Sequence, residues 1–414
     1  MNKDGKGATA LSRNLADRSG KATHQETRAH NERLVLGMIY DRGPISRAEV
    51  ARTTGLTRTT VSDLVSTLLR VGLTREMGRG PSTGGKAPIL LEVTDDARHL
   101  VGLDLGEKVF RGAIVDLRGE IVESFSLPVE DRDGQEALEL VLALVERLVR
   151  AATRPILGIG IGTAGLIDTR LGTVLEAVNL DWRDVPLGSL VRDRTGLPVY
   201  VVNDSQATAL AEHVFGGPRT SNLLVVKVGQ GVGAGIVIDG RLFQGDGFGA
   251  GEIGHTTVRP DGAPCECGRR GCLETVVSSR AILDGLAALG WKGSLVEAQQ
   301  ALAAGDATVN EVVVAAGREL GVAVAWLIGA LNVHRVVLVG SVAGFGEPWL
   351  AAVRSEATRG ALPLLSRDTV VEIGNLHDDG VVLGASALLM TQELGLSLAG
   401  LAAGHHAVES AVAV

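Results

Sequence analysis

The chain has 414 residues, more than one ordinary hydrophobic core holds, so its length predicts two or three domains. Apolar residues make up 45% and aromatic residues only 3%, with 55 glycines, and this mixture favours layered α/β architecture over a β-sandwich. No apolar run is long enough to span a bilayer and the N-terminus has no hydrophobic signal segment, so we expect a cytoplasmic protein without a membrane partner. The net charge of −8 argues against broad affinity of the whole chain for nucleic acid.

The N-terminal third begins with a polar segment, residues 1–30, that lacks apolar periodicity and is expected to be a disordered tail. From Asn31 the apolar residues recur at helical spacing, and the pattern stops at the sequence "DRGP". The stripe of this first helix consists of Leu34, Val35, Met38 and Ile39. We place a small domain at residues 31–93.

Two further helices are predicted in this domain. Ser46, with Glu49 three residues later, is a plausible N-cap for a helix that ends near Thr53. Gly55 supplies a turn and Thr57 caps a third helix, whose buried stripe consists of Val61, Leu64, Val65, Leu68 and Leu69. Two helices joined by a short turn that contains glycine are typical of a helix-turn-helix.

The charge and polarity of this domain favour DNA as its partner. Residues 31–91 have nine basic and five acidic side chains, so they carry a net charge of +4 and leave −12 for the rest of the chain. Hydroxyl-rich and basic side chains begin the third helix, and a glycine-rich wing follows it. The candidate DNA contacts are Arg58, Thr59, Thr60 and Ser62 on the helix and Arg79 and Lys86 on the wing. The alternative is a small helical domain that contacts protein and has a basic surface.

The remaining sequence predicts two α/β lobes. Strand–turn–strand patterns begin at "HLVGLDLG" and again at "NLLVVKVGQGVGAGIVIDG", each followed by helices and further strands. The first lobe is placed at residues 100–215 and the second at 220–395, and the last helix could return to the first lobe. Residues 396–414 are expected to be a frayed tail. Ligands of such folds bind at the carboxyl ends of strands, which predicts a cleft between the lobes.

All three cysteines lie in one short loop. Cys265, Cys267 and Cys272 follow His255, and three thiolates with one imidazole satisfy tetrahedral structural zinc without an open coordination position. The alternative is three reduced, buried cysteines without a metal, but clustering of every thiol beside a histidine favours zinc. One zinc ion per chain is therefore predicted, as a clamp on this loop.

Several motifs taken together resemble the ROK family (repressor, open reading frame, kinase). They are "GLDLG", "GIGTAGLID", "VNDSQATALAE", "GQGVGAGIV", "GAGEIGH" and "CECGRRGCLE", and they extend over roughly residues 100–395. The resemblance implies an α/β, actin-like and sugar-kinase-like body of two lobes, preceded by a winged helix-turn-helix as in the repressors of the family. It also implies that His255 is both a zinc ligand and a sugar contact.

The resemblance implies further sugar contacts at Asn179, Glu252 and Glu274, with Gly165 in a backbone turn that lines the same pocket. Asn203 and Asp204 follow a predicted strand, where a cleft residue is expected, although the pair could also cap the next helix. In kinases of the family the aspartate is the general base that deprotonates the sugar hydroxyl, which makes Asp204 the base if this chain is a kinase.

The predicted phosphate loops depart from the kinase pattern. Glu107 and Lys108 stand where the kinases have glycine and threonine, and Lys227 and Gln230 replace threonines of the second loop. A carboxylate at position 107 would repel a triphosphate in a poorly solvated cleft. We therefore predict a sugar-responsive DNA-binding regulator, a repressor of carbohydrate-utilisation genes, that is not an enzyme and binds near-palindromic operator DNA as a homodimer or homotetramer. The alternatives are an ATP-dependent sugar kinase fused to a DNA-binding domain and a constitutive DNA binder with a vestigial cleft.

Overall fold

The computed structural model describes residues 24–81, 87–218 and 220–396 and divides into two compact units, residues 1–93 and 94–414. The first unit contains α1 (His24–Arg42), β1 (Ile45–Ser46), α2 (Arg47–Thr54), α3 (Arg58–Arg70), β2 (Thr74–Arg79) and β3 (Ile89–Val93). Its strands form an antiparallel sheet in the order β1-β3-β2. The three helices and this β2–β3 wing are the arrangement that the sequence predicts.

Local signals at the helix ends account for the turn between α2 and α3. The Ser46 hydroxyl accepts a hydrogen bond from the Glu49 backbone N–H, and the Thr57 hydroxyl accepts one from the Thr60 N–H. Gly55 ends α2 at φ +72°, a left-handed conformation in which glycine avoids the strain of a side chain. The capping residues predicted from the sequence are thus confirmed.

The boundaries of the first unit correct three expectations. Helix α1 begins at His24, so residues 24–30 of the predicted disordered tail are helical, while residues 1–23 lie outside the described residues. Leu34, expected in the buried stripe of α1, is 38% exposed, and Leu69 on α3 is only half-buried. Propensity sets where a helix can form, whereas contact with its neighbours decides which apolar residues are covered.

The second unit begins with the strands and helices of the first lobe. They are β4 (His99–Leu105), β5 (Val109–Val115), β6 (Ile121–Pro128), α4 (Gly134–Ala151), β7 (Ile156–Thr163), β8 (Leu166–Asp168), β9 (Thr173–Ala177), β10 (Trp182–Val185), α5 (Leu187–Thr195), β11 (Val199–Asn203) and α6 (Asp204–Val214). Five strands form a sheet in the order β11-β7-β4-β5-β6, and β8 to β10 form a small antiparallel sheet.

The second lobe completes the chain. It contains β12 (Leu223–Val228), β13 (Val232–Ile238), β14 (Arg241–Phe243), α7 (Glu274–Val277), α8 (Ser279–Ala288), α9 (Leu295–Ala303), α10 (Ala307–Leu331), β15 (Arg335–Val339), α11 (Glu347–Gly360), α12 (Pro363–Ser366), β16 (Val370–Ile373) and α13 (Gly380–Leu394). Its sheet has the order β14-β13-β12-β15-β16. In both sheets an antiparallel hairpin, β4–β5 or β12–β13, is followed by parallel neighbours, which gives the two lobes a common plan.

One helix in the described part of the chain, Ala307–Leu331, is long and apolar enough to cross a membrane by length and composition alone. In the structure it is the central helix of the second lobe. Its buried face packs in a core with β12, β13 and β15 and with α11. A core helix of a soluble domain has the same composition, because it is covered on most sides.

Helix α13 returns to the first lobe and joins it to α6. It packs on β4 and β7 and against α6, and Leu396, just beyond its end, is 2% exposed although the predicted C-terminal tail began there. Alternate glycines on β7 permit this contact, since a side chain at Gly160 would come within 2.2 Å of the Ala385 carbonyl oxygen. A side chain at Gly384 would come within 1.8 Å of the Ala207 carbonyl oxygen on α6. Residues 397–414 lie outside the described residues.

We expect Gly384→Ala to lower the free energy of unfolding by about 3 kcal/mol, because the added methyl group must push α6 and α13 apart. Gly329→Ala is the matched control. Gly329 is an exposed residue of α10 with open space around it, so alanine there should leave stability equal or raise it by up to about 1 kcal/mol. Urea unfolding of both variants tests the contact, and equal stability of the two would contradict it.

Candidate functional site

The loop between β14 and α7 brings together the four predicted metal ligands. The ligand atoms of His255, Cys265, Cys267 and Cys272 all lie within 4.8 Å of one another. Sγ of Cys267 is 3.6 Å from Sγ of Cys272, and Sγ of Cys265 is 3.6 Å from Nδ1 of His255. Tetrahedral zinc with Zn–S bonds of about 2.3 Å separates its ligand atoms by roughly 3.8 Å, so the cluster has the dimensions that such an ion requires.

The backbone of the loop is shaped to form this cluster. Thr257 pairs with Cys272 and Pro264 with Arg270 in short antiparallel bridges, which fold the loop back on itself. Gly271 has φ +66° and lies so close to the Arg259 carbonyl that no side chain fits. Burial, together with the neighbouring thiols, raises the pKa of Cys272 to about 12, so only a bound cation would hold all three cysteines as thiolates.

Two of the candidate sugar contacts lie in the loop that also carries the candidate metal ligands. Glu252 precedes and His255 ends a short helix, Ile253–His255, and both line an open groove of about 490 Å³ together with Thr256, Thr257, Cys267 and Arg269. Although the Glu252 side chain is solvent-accessible, desolvation by the surrounding walls raises its pKa, and the carboxylates of Asp204 and Glu274 raise it further. The charge of His255 opposes this shift, so His255, Asp204 and Glu274 all lie near enough to Glu252 for their charges to act on it.

Asn203 has the capping role that the sequence left open. Its side-chain oxygen accepts hydrogen bonds from the N–H groups of Ser205 and Gln206 at 2.9 and 3.2 Å, which caps α6. Its Nδ2 donates to the Gly165 carbonyl at 3.0 Å, and the side chain is almost buried. Only one N–H of Asn203 therefore remains for a ligand.

Gly165 also connects Asn203 with the loop that carries Asn179. Gly165 has φ +102°, and a side chain on it would come within 2.2 Å of the Glu176 carbonyl, near the end of β9. The short helix Val178–Leu180 follows directly, and Asn179 on it is exposed. Asn179 thus lies three residues beyond the residue of β9 that Gly165 approaches.

The cluster around Lys227 is the part of the site that the sequence did not reveal. The Lys227 ammonium on β12 donates a short hydrogen bond to Oδ2 of Asp204, the first residue of α6. Burial opposes the charge of Asp204, but Lys227 and hydrogen bonds from Ser205 outweigh it, so the pKa of Asp204 is lowered. Burial likewise opposes the charge of Lys227, and the carboxylates of Asp204 and Asp104 outweigh it, so its pKa is raised.

Asp104, at the end of β4, completes this cluster. Burial, with the nearby charge of Asp204, raises the pKa of Asp104 to about 6 although Lys227 opposes the shift. The sequence identified Lys227 only as a departure from the kinase pattern. Its partners are 23 and 123 residues away in the chain, and no local spacing signals such contacts.

The candidate DNA contacts are mostly exposed on the first unit. Arg58, Thr59 and Ser62 are exposed at the start of α3, and Arg79 is exposed at the end of β2. Thr60 is half-buried, and its hydroxyl lies 2.9 Å from the Thr57 hydroxyl, which limits its reach. Lys86 lies outside the described residues.

Comparison with known proteins agrees with this architecture. The model of the ROK family matches residues 100–392, which is more than half of the chain. The chain belongs to the ROK family. Along 385 residues it is 34% identical to a xylose repressor of Caldicellulosiruptor bescii, a match that covers 88% of this chain and 96% of the repressor.

Two further similarities allow the share of this chain that regulators match to be compared with the share that a kinase of the ROK family matches. A glucokinase of Halalkalibacterium halodurans is 35% identical and covers 72% of this chain and 96% of the enzyme. The crystal structure of a ROK family transcriptional regulator, a homologue of the E. coli MLC protein, superposes with a TM-score of 0.80 at 27% identity and covers 90% of this chain and 98% of that one. The regulators therefore match a larger share of this chain than the glucokinase does.

We expect Asp204→Asn to lower the free energy of unfolding by about 2 kcal/mol at pH 7, because the largely buried Lys227 ammonium loses its hydrogen-bonded counter-ion and keeps only the nearby charge of Asp104. The pKa of Asp204 is lowered by folding, so the contribution of the pair is present above the ordinary value of 3.8 and is lost as pH falls through the lowered pKa. The difference between wild type and variant should accordingly narrow below pH 3.8.

Urea unfolding at several pH values measures this difference. Asp96→Asn is the control, since Asp96 pairs with Arg154 where both side chains are more than half exposed, and its loss should cost less than about 1 kcal/mol. Equal losses in the two variants would show that the Asp204–Lys227 pair has no special role in stability.

Proposed function

We propose that the protein is a sugar-responsive transcriptional regulator that represses carbohydrate-utilisation genes. The observation that carries the proposal is the combination of a winged helix-turn-helix with a ROK body in which Lys227 neutralises Asp204, the position of the kinase base. The first part provides a surface for operator DNA. The second provides a sugar cleft without an available base.

The proposed effector contacts are the residues around the cleft. Asn179, Glu252 and Glu274 offer acceptors and an amide to sugar hydroxyls, and Asn203 offers its remaining N–H. Asp204 would accept from a hydroxyl with Lys227 still bound to its Oδ2. His255 would bind the metal through Nδ1, which leaves Nε2 free to contact a hydroxyl. Because relatives include a xylose repressor and a glucokinase, D-xylose and D-glucose are the first effectors to test.

Kinase activity is not expected from this cleft. A general base works best with a pKa near the working pH, but the pKa of Asp204 is lowered and its Oδ2 is occupied by Lys227. Glu107 stands where nucleotide phosphates would bind, and its negative charge opposes them. ATP-dependent phosphorylation of D-glucose or D-xylose by the purified protein would overturn this part of the proposal, especially if Asp204→Asn abolished it.

The metal is proposed to be one structural zinc ion per chain, held by His255, Cys265, Cys267 and Cys272. Four protein ligands leave no position for a reacting water, so the ion would stabilise the loop and not perform chemistry. Glu252 and Glu274 lie on the two sides of the loop sequence, and the clamp would hold them near each other.

On the DNA side, the exposed start of α3 would enter the major groove, with Arg58, Thr59 and Ser62 toward base edges and phosphates. Arg79 and Lys86 of the wing would contact the backbone. A single winged helix reads few base pairs, so we propose a cytoplasmic homodimer or homotetramer on a near-palindromic operator.

The decisive experiment measures operator binding with and without sugar. Fluorescence anisotropy with DNA from the promoter region of the chain's own gene should give specific binding that D-xylose or D-glucose weakens by tenfold or more, which corresponds to about 1.4 kcal/mol of coupling. Arg58→Ala should weaken DNA binding and leave sugar-induced thermal stabilisation unchanged. Operator affinity that no monosaccharide changes would refute the sensor.

Cys267→Ser tests the metal clamp. Purified wild type should contain about one zinc per chain by elemental analysis, and the variant should contain much less, because a neutral hydroxyl is a poor ligand for this ion. The variant should also lose sugar-induced thermal stabilisation. Ser124→Ala, at an exposed serine of β6 in the first lobe, is the control and should retain zinc. Normal sugar binding by a zinc-free variant would disprove the clamp.

A further inference from the structure

Two residues that depart from the kinase pattern contact each other across the cleft. Glu107 lies in the β4–β5 turn of the first lobe, and Gln230 lies in the β12–β13 turn of the second. With its amide nitrogen toward Glu107, Gln230 donates to both carboxylate oxygens, at 2.6 and 2.9 Å. The reverse orientation would bring three oxygens together, so this orientation is the one that chemistry allows.

The surroundings of Glu107 show that it faces the second lobe. Desolvation raises its pKa, and the next contribution in size is the charge of Glu266, which belongs to the metal-binding loop. The charges of Arg280 and Glu274 also act on it. The hydrogen bond to Gln230 is therefore a contact between lobes, in the space where the kinase pattern would place phosphate loops.

The β12–β13 turn continues directly to a proposed sugar contact. The N–H of Val232 donates to Oε2 of Glu274 at 3.0 Å. Gly231 stands between Gln230 and Val232, and a side chain on it would lie 3.2 Å from the same Glu274 oxygen. A second hydrogen bond, from Ser279 N–H to the Gly229 carbonyl at 2.7 Å, fixes the other end of the turn to α8.

We propose that Glu107 and Gln230 are positioning residues that hold the β12–β13 turn and thereby set the place of the Glu274 carboxylate. The turn has one attachment to the first lobe, through Glu107, and two to the second lobe, through Glu274 and Ser279. A change in the separation of the lobes is transmitted to Glu274 over only two intervening residues. The pair thus replaces phosphate recognition with a connection between lobe position and the effector cleft.

This inference rests on the proposed function in one respect, the role of Glu274 as a contact of the sugar effector. The connection itself is measurable without sugar or DNA. Amide hydrogen exchange at Val232 reports directly on its bond to Glu274, because that N–H exchanges when the turn moves away.

A negative and a positive charge at position 230 should change the amide exchange rate of Val232 in opposite directions. Gln230→Glu places a carboxylate beside Glu107 and should raise the exchange rate of Val232 by about threefold or more, as expected for repulsion between partly exposed charges. Gln230→Lys replaces the hydrogen bond with an ion pair and should lower the rate. In the Glu107→Ala background the difference between these two variants should disappear.

Gln135→Glu is the matched control. Gln135 donates to Glu139 at 3.3 Å on the exposed face of α4, so the variant breaks the same kind of bond within one lobe and should leave the exchange of Val232 unchanged. Equal exchange in wild type and Gln230→Glu, a change of the same sign in Gln230→Lys, or a difference that persists in Glu107→Ala would each overturn the proposal. A wild-type protein that shows no response to sugar, with these exchange effects intact, would refute the proposed function and not the connection.

Discussion

The close packing of α6 against α13 is the contact on which the arrangement of the cleft depends. Helix α6 packs on β12 and β13 of the second lobe, and α13 packs on β4 and β7 of the first, so the two helices form the joint between the sheets. Gly384 and Gly160 bring backbones together with no space for a side chain. Because α6 begins at Asp204 and Asn203 caps it, this joint also positions the two residues at the base of the cleft.

Burial at this joint affects whether the acidic and basic groups in the cleft are ionised. An isolated carboxylate there would be driven toward its neutral form, as Asp104 is with its pKa near 6. Lys227 keeps Asp204 ionised, and Asp204 and Asp104 keep Lys227 charged. The result is a buried cluster with an internal cation, Lys227, at a position where the kinase pattern has a threonine. A sugar would meet a set of hydrogen-bonding groups, several of which already have protein partners.

Local signals in the sequence correctly predicted the helix caps and the turn between α2 and α3. The caps Ser46 and Thr57 and the turn glycine Gly55 act within a few residues, and the structure has them as expected. The cysteine cluster was also predictable, since three thiols and a histidine within 18 residues are typical of a metal site. The prediction was wrong at His24, where a helix extends into a polar segment whose residues 27–30 are exposed, because a helix can continue without the apolar periodicity from which its start was predicted.

The family motifs, the two-lobed α/β plan and the candidate metal ligands were determined by the sequence alone, because spacing and residue type are enough to specify them. Only the tertiary structure decided which groups meet across the cleft. Lys227 on β12 meets Asp204 on α6, and Gln230 meets Glu107 from the other lobe, although each appears in the sequence as an isolated substitution. The physical reason is that both pairs join elements of different lobes, whose approach is set by the packing of α6 and α13 and not by any local pattern.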